Sequence, residues 1–379
     1  MTELSISVSE PLWLSSPRDL IDLPDPENYT HTIRAFGGYW SASFDVTHNL
    51  MDAESWINGL GRHVVVYDDA LVPCWEGCVN RVTINAGSRA FVRGPLLDLC
   101  NRLYVVYTRL LTVTDPPTRV GEDRTATVND VDSQAVWGII GKVVSGGEQT
   151  DANALRVRDT YLAENKEPRT THQEAGRPGV HVECVGYSQL LTWLYSQTAV
   201  LGDVDLSNDD GTGKLQLVIA ADPNGIFSTN WSRTADNAFQ VNAYEEKDRR
   251  ARDLIQAMVA YGDAAGSRWL FGIYAGRQAV YEAAPSAVEY LQVLGDPAQR
   301  ITTLEGTAVK PWNVMPGRWL MYPDFLVGGV EPANLRDDPR MEFIESVTFT
   351  APQGLAHSGG RTDRITQILA QKGLGGTYG

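Results

Sequence analysis

Between residues 33 and 113 the apolar side chains come only in short runs, at 39–46, 63–67, 72–79, 81–85, 90–93 and 103–113, with glycine and aspartate between them. Runs of that length suit strands. Val82 and Ile84 alternate with Thr83 and Asn85, the period of two that a half-buried strand requires. Asp68-Asp69-Ala70 stands between two of the runs as a hairpin connection. Several short strands at this spacing predict a barrel or a sandwich.

The flanking segments read differently. Pro11, Pro17, Pro24 and Pro26 interrupt residues 1–31 before any period is established, which reads as an arm lying over another surface. After Asp132-Ser133, read as an N-cap, Val136, Ile139, Ile140 and Val143 recur at helical spacing until Gly146-Gly147. A second helix is predicted from Asp151 to about Glu164, with Ala154, Val157 and Tyr161 on one stripe and Pro168 beyond its end. Residues 180–186 read as a strand, and 190–201, apolar on nearly every side, as a buried helix or a strand pair. Strands return over 203–241, with 215–220 the clearest.

The strongest helical stripe is Ala251, Leu254, Ile255, Met258 and Val259, with Glu245 and Glu246 at its positive end and Gly262 at the other. Residues 268–274 and 278–283 flank Ala275-Gly276-Arg277 as a tight hairpin ended by Pro285, and strands resume over 301–304, 318–321 and 343–350. The glycine-rich tail carries one short amphipathic stretch, Ile365, Ile368 and Leu369, and reads as either mobile or a docking segment.

Composition narrows the function. Of 379 residues, 47 are acidic and 32 basic, a net charge of −15 that argues against a general nucleic-acid-binding surface. The longest unbroken apolar runs, such as 64–67, fall far short of the ~20 residues that cross a bilayer. Met1-Thr2-Glu3 opens neither a basic flank nor an apolar leader, so folding in a cytoplasm is expected. Cys74, Cys78, Cys100 and Cys184 are then free thiols.

Each catalytic or metal motif lacks a required atom. Gly186-Tyr187-Ser188-Gln189-Leu190 has one of the two glycines of a nucleophile elbow. In the stretch from Asp209 to Leu215, Asn208 and Leu215 stand where a phosphate loop needs glycine and a hydroxyl, so a turn is expected. His181-Val182-Glu183-Cys184 has no Pro-Cys-x-x-Cys partner, and Cys74 and Cys78 lack a second ligand pair. Asp203, Asp205, Ser207, Asp209 and Asp210 lack the glycine and glutamate of an EF-hand. Trp40, Trp75, Trp269 and Trp319 fall within expected strands, as core or interface rings. No catalytic, cofactor-binding or metal-ligating residue is assigned, and no enzyme activity or cofactor is expected.

Four stretches carry a family pattern. Asp132-x-x-x-x-Trp137-Gly138, the helix-like 154–162 ending in Tyr161-Leu162, and Pro168 resemble the Ser-x-x-x-Tyr-Gly, helix and proline of many phage tail hubs. Trp75-Glu76-Gly77-Cys78-Val79 resembles a strand of the hub's first barrel. Met315-Pro316-Gly317-Arg318-Trp319 resembles the Pro-Gly turn that opens a late strand of the second, and Glu345-Ser346-Val347-Thr348-Phe349-Thr350 its closing strand. The chain thus resembles the baseplate hub and tail-tip proteins of tailed phages over about residues 33–352. Gln134, where an aliphatic residue is usual, and Trp137 in place of tyrosine depart from the pattern, and no lysin domain follows Gly379, which fits a stand-alone hub.

The resemblance implies a β-rich α+β chain with two tail-tube-like β-barrels and inserted helical and small α/β segments. It implies an arm at 1–31, a first barrel at 32–115, a helical or mixed insertion at 116–202, an α+β domain at 203–295, strands completing the second barrel at 296–352 and a flexible tail at 353–379. It further implies a homotrimer in the virion, at the tail tip. Its pseudo-sixfold ring would adapt a sixfold tube to a threefold tip, touching a distal tail protein ring, a tape measure protein and tip or fibre proteins, with DNA passing through the lumen unbound. The rival readings are a hexameric distal tail protein, a tip hydrolase acting on the host envelope, and a carbohydrate-binding receptor module.

Overall fold

The computed structural model describes residues 4–14, 19–24, 27–46, 53–111, 116–174, 176, 178–195, 211–238, 248–296, 300–324, 338–351 and 354–359. In chain order the strands are β1 (Ser5–Ser9), β2 (Asp19–Pro24), β3 (Glu27–Arg34), β4 (Phe36–Val46), β5 (His63–Tyr67), β6 (Pro73–Ala86), β7 (Arg89–Arg93), β8 (Arg102–Leu111), β9 (Thr118–Arg124) and β10 (Val128–Asn129). They continue with β11 (Gly141–Gln149), β12 (Thr170–Glu174), β13 (Gly179–Gly186), β14 (Trp269–Tyr274), β15 (Gln278–Ala283), β16 (Val288–Gln292), β17 (Ile301–Thr303), β18 (Trp319–Met321), β19 (Met341–Thr350) and β20 (Gly354–Gly359). The helices are α1 (Ala53–Ile57), α2 (Val131–Trp137), α3 (Asp151–Asn165), α4 (Gly211–Ala220) and α5 (Ala251–Tyr261). The protein is α+β and β-rich, with curled sheets.

Most strands join one branched sheet whose main path is β17-β16-β18-β19-β3-β4-β13-β6-β5-β1-β2. Three long strands make the branches, each holding one partner on one edge and two in succession on the other. β4 pairs with β3 along one edge, and with β14 at Phe36 to Gly38 and β13 at Ser41 to Val46 along the other. β6 pairs with β13 on one side and with β5 then β7 on the other. β19 holds β3 against β18 and β20.

Burial follows the branching. The first half of β6, from Cys74 to Val79, is buried on both faces, whereas Val82 and Ile84 alternate with more exposed neighbours in its second half. A large core gathers Ile6, Phe44, Trp56, Val66, Trp75 and Val182, and α5 lays Leu254, Ile255 and Met258 onto it. A smaller core of Tyr290, Ile301, Val314, Leu320, Ile344 and Val347 lies under the strands from β16 onward.

The branch seam is possible because backbones approach without side chains between them. A Cβ on Gly186 would stand 1.8 Å from the Tyr39 carbonyl oxygen, and one on Gly77 2.2 Å from that of Val185. Gly186→Ala is therefore expected to cost roughly 3 kcal/mol or more, the scale of forced overpacking, read as a lowered denaturant midpoint; an unchanged midpoint would contradict so close an approach.

A separate four-stranded sheet holds β8 between β9 and β10 on one side and the parallel β11 on the other. Helix α3 packs Ala154 and Leu162 against Leu103, Val105 and Tyr107 of β8.

Several expectations are corrected. The stretch read as an arm carries β1, β2 and the start of β3, because Ile6 and Val8 alternate with serines and β1 pairs with β5. Residues 72–79 and 81–85 form a single strand, β6. The helix expected through Val143 stops at Trp137: its cap is Asp130, whose carboxylate accepts from the Ser133 amide, and Gly138 at φ 72° turns the chain into β11, so Ile139 and Ile140 lead into a strand and Val143 lies in it. Residues 187–193 form a 3-10 helix. The strand expected at 215–220, and residues 211–214 of the turn expected before it, are α4, since Leu215, Val218 and Ile219 are buried at i, i+3 and i+4. The expected helices at 151–164 and 251–259 and the hairpin about Ala275-Gly276-Arg277 are present. Glu245, Glu246 and the stretch 365–369 lie outside the described residues, and 354–359 of the tail forms β20.

Candidate functional site

The residues that the sequence set apart as possible chemistry are placed apart from one another. Ser188 is buried in the 3-10 helix, its hydroxyl directed at the Tyr39 carbonyl at 3.5 Å. His181 and Glu183 share one face of β13, where His181 pairs with Asp45 at 2.6 Å and Glu183 with Arg81 at 3.7 Å, while Cys184 points into the core. Cys74 and Cys78 lie four residues apart on β6, a separation of about 13 Å along a strand, too far to share one metal ion. All four thiols are buried, and burial pushes Cys74, Cys78 and Cys100 up to about 12. Among the described residues no group of three His, Cys, Asp or Glu is arranged to hold a metal. The acidic string 203–210 lies outside them.

Two polar clusters that the sequence did not single out do come together. In the first, Glu76 on β6 and His63 on β5 meet Tyr187, which opens the 3-10 helix, and the tip of the β14–β15 hairpin. His63 Nδ1 lies 2.6 Å from the Tyr187 hydroxyl, and its Nε2 lies 3.6 Å from Glu76 Oε1. The Gly276 amide donates to Glu76 Oε2 at 2.6 Å, and Arg277 stands 3.9 Å from Oε1. Burial drives His63 down to about 4, with the Arg277 charge adding to it, so the ring is neutral near pH 7. Burial raises Glu76, with Arg277 and the Gly276 amide acting the other way. Tyr187 is pushed up by burial.

A tyrosine, a histidine and a carboxylate in series have the connectivity of a nucleophilic triad. Glu76 and Tyr187 are, however, only 4% and 2% exposed. What this arrangement does is clamp the hairpin tip to β6 across the seam, with the buried carboxylate holding a backbone N–H. Its sequence signal is Glu76 itself, an acid inside a run otherwise buried on both faces.

The second cluster is centred on Asn101, fully buried where the small sheet meets the large one. Its Oδ1 accepts from the Ile140 amide at 2.8 Å, and its Nδ2 donates to the Gly138 carbonyl at 2.8 Å and to Ser133 Oγ at 3.2 Å. Its backbone carbonyl accepts from the Asp130 amide and from Gln134 Nε2. Ser133 Oγ in turn donates to the Lys166 carbonyl, and Lys166 pairs with Asp130 at 2.9 Å. Nearby, Asn224 takes both backbone groups of Ile139.

Of the tryptophans expected in strands, Trp75 and Trp269 fill the large core, and Trp319 packs edge-on against Phe343. Trp40 differs: it is partly exposed and lies beneath Arg34 and Arg252. At the β5–β6 turn, Leu71 (75% exposed, φ 60°) and Val72 point outward, while the Asp68 carboxylate accepts from the Ala70 and Val72 amides and Asp69 pairs with Lys310.

No family model matches the chain, and no curated protein matches it in sequence. Among solved structures it is similar to the 43 kDa tail protein of prophage MuSo2 from Shewanella oneidensis, known from a crystal structure, with 10% sequence identity. The likeness covers 96% of this chain and 98% of that one at a TM-score of 0.45.

Proposed function

We propose that the chain is a structural protein of a phage tail, the hub ring at the tail tip that adapts a sixfold tube to a threefold tip. The observation that carries this reading is the course of the main sheet. Among the described residues its path ends in two different strands, β17 at one end and β2 at the other, and the three branching strands tie everything between into one sheet. A closed ring needs two unlike faces on each subunit, and the two ends of one continuous sheet are unlike: β2 at one, and at the other β17 with residues 307–309 of the same chain laid along its outer edge. The clamps about Glu76 and Asn101 stiffen the joints between the parts, as a load-carrying ring requires. In this reading the protein's shape is its activity, it performs no catalytic step, and DNA slides past an acidic wall without binding.

Native mass spectrometry of the purified chain tests the reading. A mass of three subunits is the expected outcome. Six would favour a hexameric distal tail protein, and one at every concentration would contradict ring formation. Clearance of cell-wall or polysaccharide substrate by the purified protein, lost on substituting acidic residues, would replace the structural reading with a tip hydrolase.

A further inference from the structure

Several arginines are matched by this chain's own acids: Arg109 with Asp123 and Asp151, Arg318 with Glu282 and Glu289, Arg340 with Asp338. Arg34 and Arg252 are not. Arg34 ends β3 with its guanidinium carbon 4.0 Å from the centroid of Trp40, and Arg252, in the first turn of α5, stands 4.7 Å from the same centroid. Among the described residues no carboxylate lies within ion-pair distance of either guanidinium, and the buried Nε of Arg252 has no hydrogen-bond partner. Burial lowers Arg252, Asp253 acts against that shift and the Arg34 and Arg250 charges add to it, and Arg250 Nε donates to the Tyr195 hydroxyl.

This placement works against the isolated subunit in two ways. Two like charges share one ring, and Arg252 sits at the positive end of a helix, where the macrodipole disfavours a cation. The ring is held in place regardless: it lies against Gly37, where a Cβ would stand 2.9 Å from it, and Gln189 Nε2 donates to the Trp40 carbonyl at 2.6 Å. The result is a fixed, partly exposed plane carrying two guanidinium forks. That chemistry suits a carboxylate, which one fork takes bidentately and a second neutralises.

We propose that Arg34, Trp40 and Arg252 form the receptor for an acidic side chain of a second copy of this chain. The inference rests on the ring reading and names one of its contacts. Charge argues for that occupant. With 47 acidic residues against 32 basic ones, copies of the chain repel one another at long range, and an uncommitted cation set against an acid of its neighbour offsets that repulsion at a subunit contact. The same balance disfavours a nucleic acid, although a stacked ring with arginines is also a base-binding arrangement.

Sedimentation velocity on the full chain is the test, at low salt and at about 0.5 M NaCl, where the screening length is only a few ångströms. Wild type, R34A/R252A and R34K/R252K are compared, with thermal unfolding as a check of fold. The alanine pair is expected to raise the subunit dissociation constant roughly tenfold or more and to flatten its salt dependence. The lysine pair keeps charge and stem but loses the planar fork, so a smaller, severalfold weakening is expected; it carries the test if the alanine pair does not fold. A wild-type ring that both variants form with unchanged affinity and salt dependence overturns the receptor and leaves the ring reading standing. A wild type that is monomeric throughout overturns both.

Discussion

Asn101→Leu is expected to lower the unfolding free energy by about 4 kcal/mol, because it removes both halves of a fully buried amide and strands its partners. The Ile140 amide loses its acceptor, and the Gly138 carbonyl and Ser133 hydroxyl lose a donor. Ser133→Ala, which touches the same network at one hydroxyl, is expected to cost about 1–2 kcal/mol. The two changes share a partner, so the double variant should fall short of their sum. Denaturant unfolding reads the size of the effect. Hydrogen exchange reads its place, with loss of protection at the Ile140 and Asp130 amides before the core strands β5 and β6. A loss under about 1 kcal/mol for Asn101→Leu would mean that the small sheet is held by something other than this knot.

Acid is expected to unfold the protein earlier than its carboxylates alone would cause. His31 is fully buried beside Tyr29 and Phe349, and desolvation lowers it from 6.5 to about 3. His63, in the clamp, is lowered to about 4. Both folded values lie below the unfolded one, so between these limits the unfolded chain binds protons that the folded chain does not. Stability is then complete above pH 6.5 and falls with pH below it, by about 1.4 kcal/mol per pH unit for each ring. Two rings over two pH units amount to roughly 5 kcal/mol. Glu76 works in the opposite sense: its raised folded value favours the protonated form and offsets part of the loss near its own titration.

His31→Gln and His63→Gln keep a polar partner for Tyr29 and Tyr187 while removing the titration. Each should flatten the stability curve between pH 6.5 and 4.5, and the double variant should leave little slope above the carboxylate range. An undiminished slope in the double variant would show that neither ring is held neutral.

How far the sequence reveals this fold depends on what each segment packs against. Val64 to Val66 and the alternation at Val82 and Ile84 mark strands because a sheet's two faces impose a period of two, and Ala251 to Val259 marks a helix because a single stripe meets the core. Leu215 to Ala220 misleads because a short apolar run has the same composition in a buried helix and a buried strand, and only the spacing of its buried residues separates them. The prolines of the first thirty residues hide β1, since a five-residue strand needs β5 beside it to be stable. The clamp joins Glu76 to Gly276 and the knot joins Asn101 to Gly138, and His63 meets Arg277 only once the β14–β15 hairpin lies against β6. Nothing local announces such meetings. A lone acid such as Glu76 in an apolar run shows that a partner is needed, and the fold alone shows which.

The ring itself is best put to the question by electron cryomicroscopy of the purified full-length chain. The account expects closed rings of three subunits with an open lumen, pseudo-sixfold strand density around it and subunit contacts made by unlike edges. Single compact particles without a lumen, or pairs joined through identical faces, would contradict it.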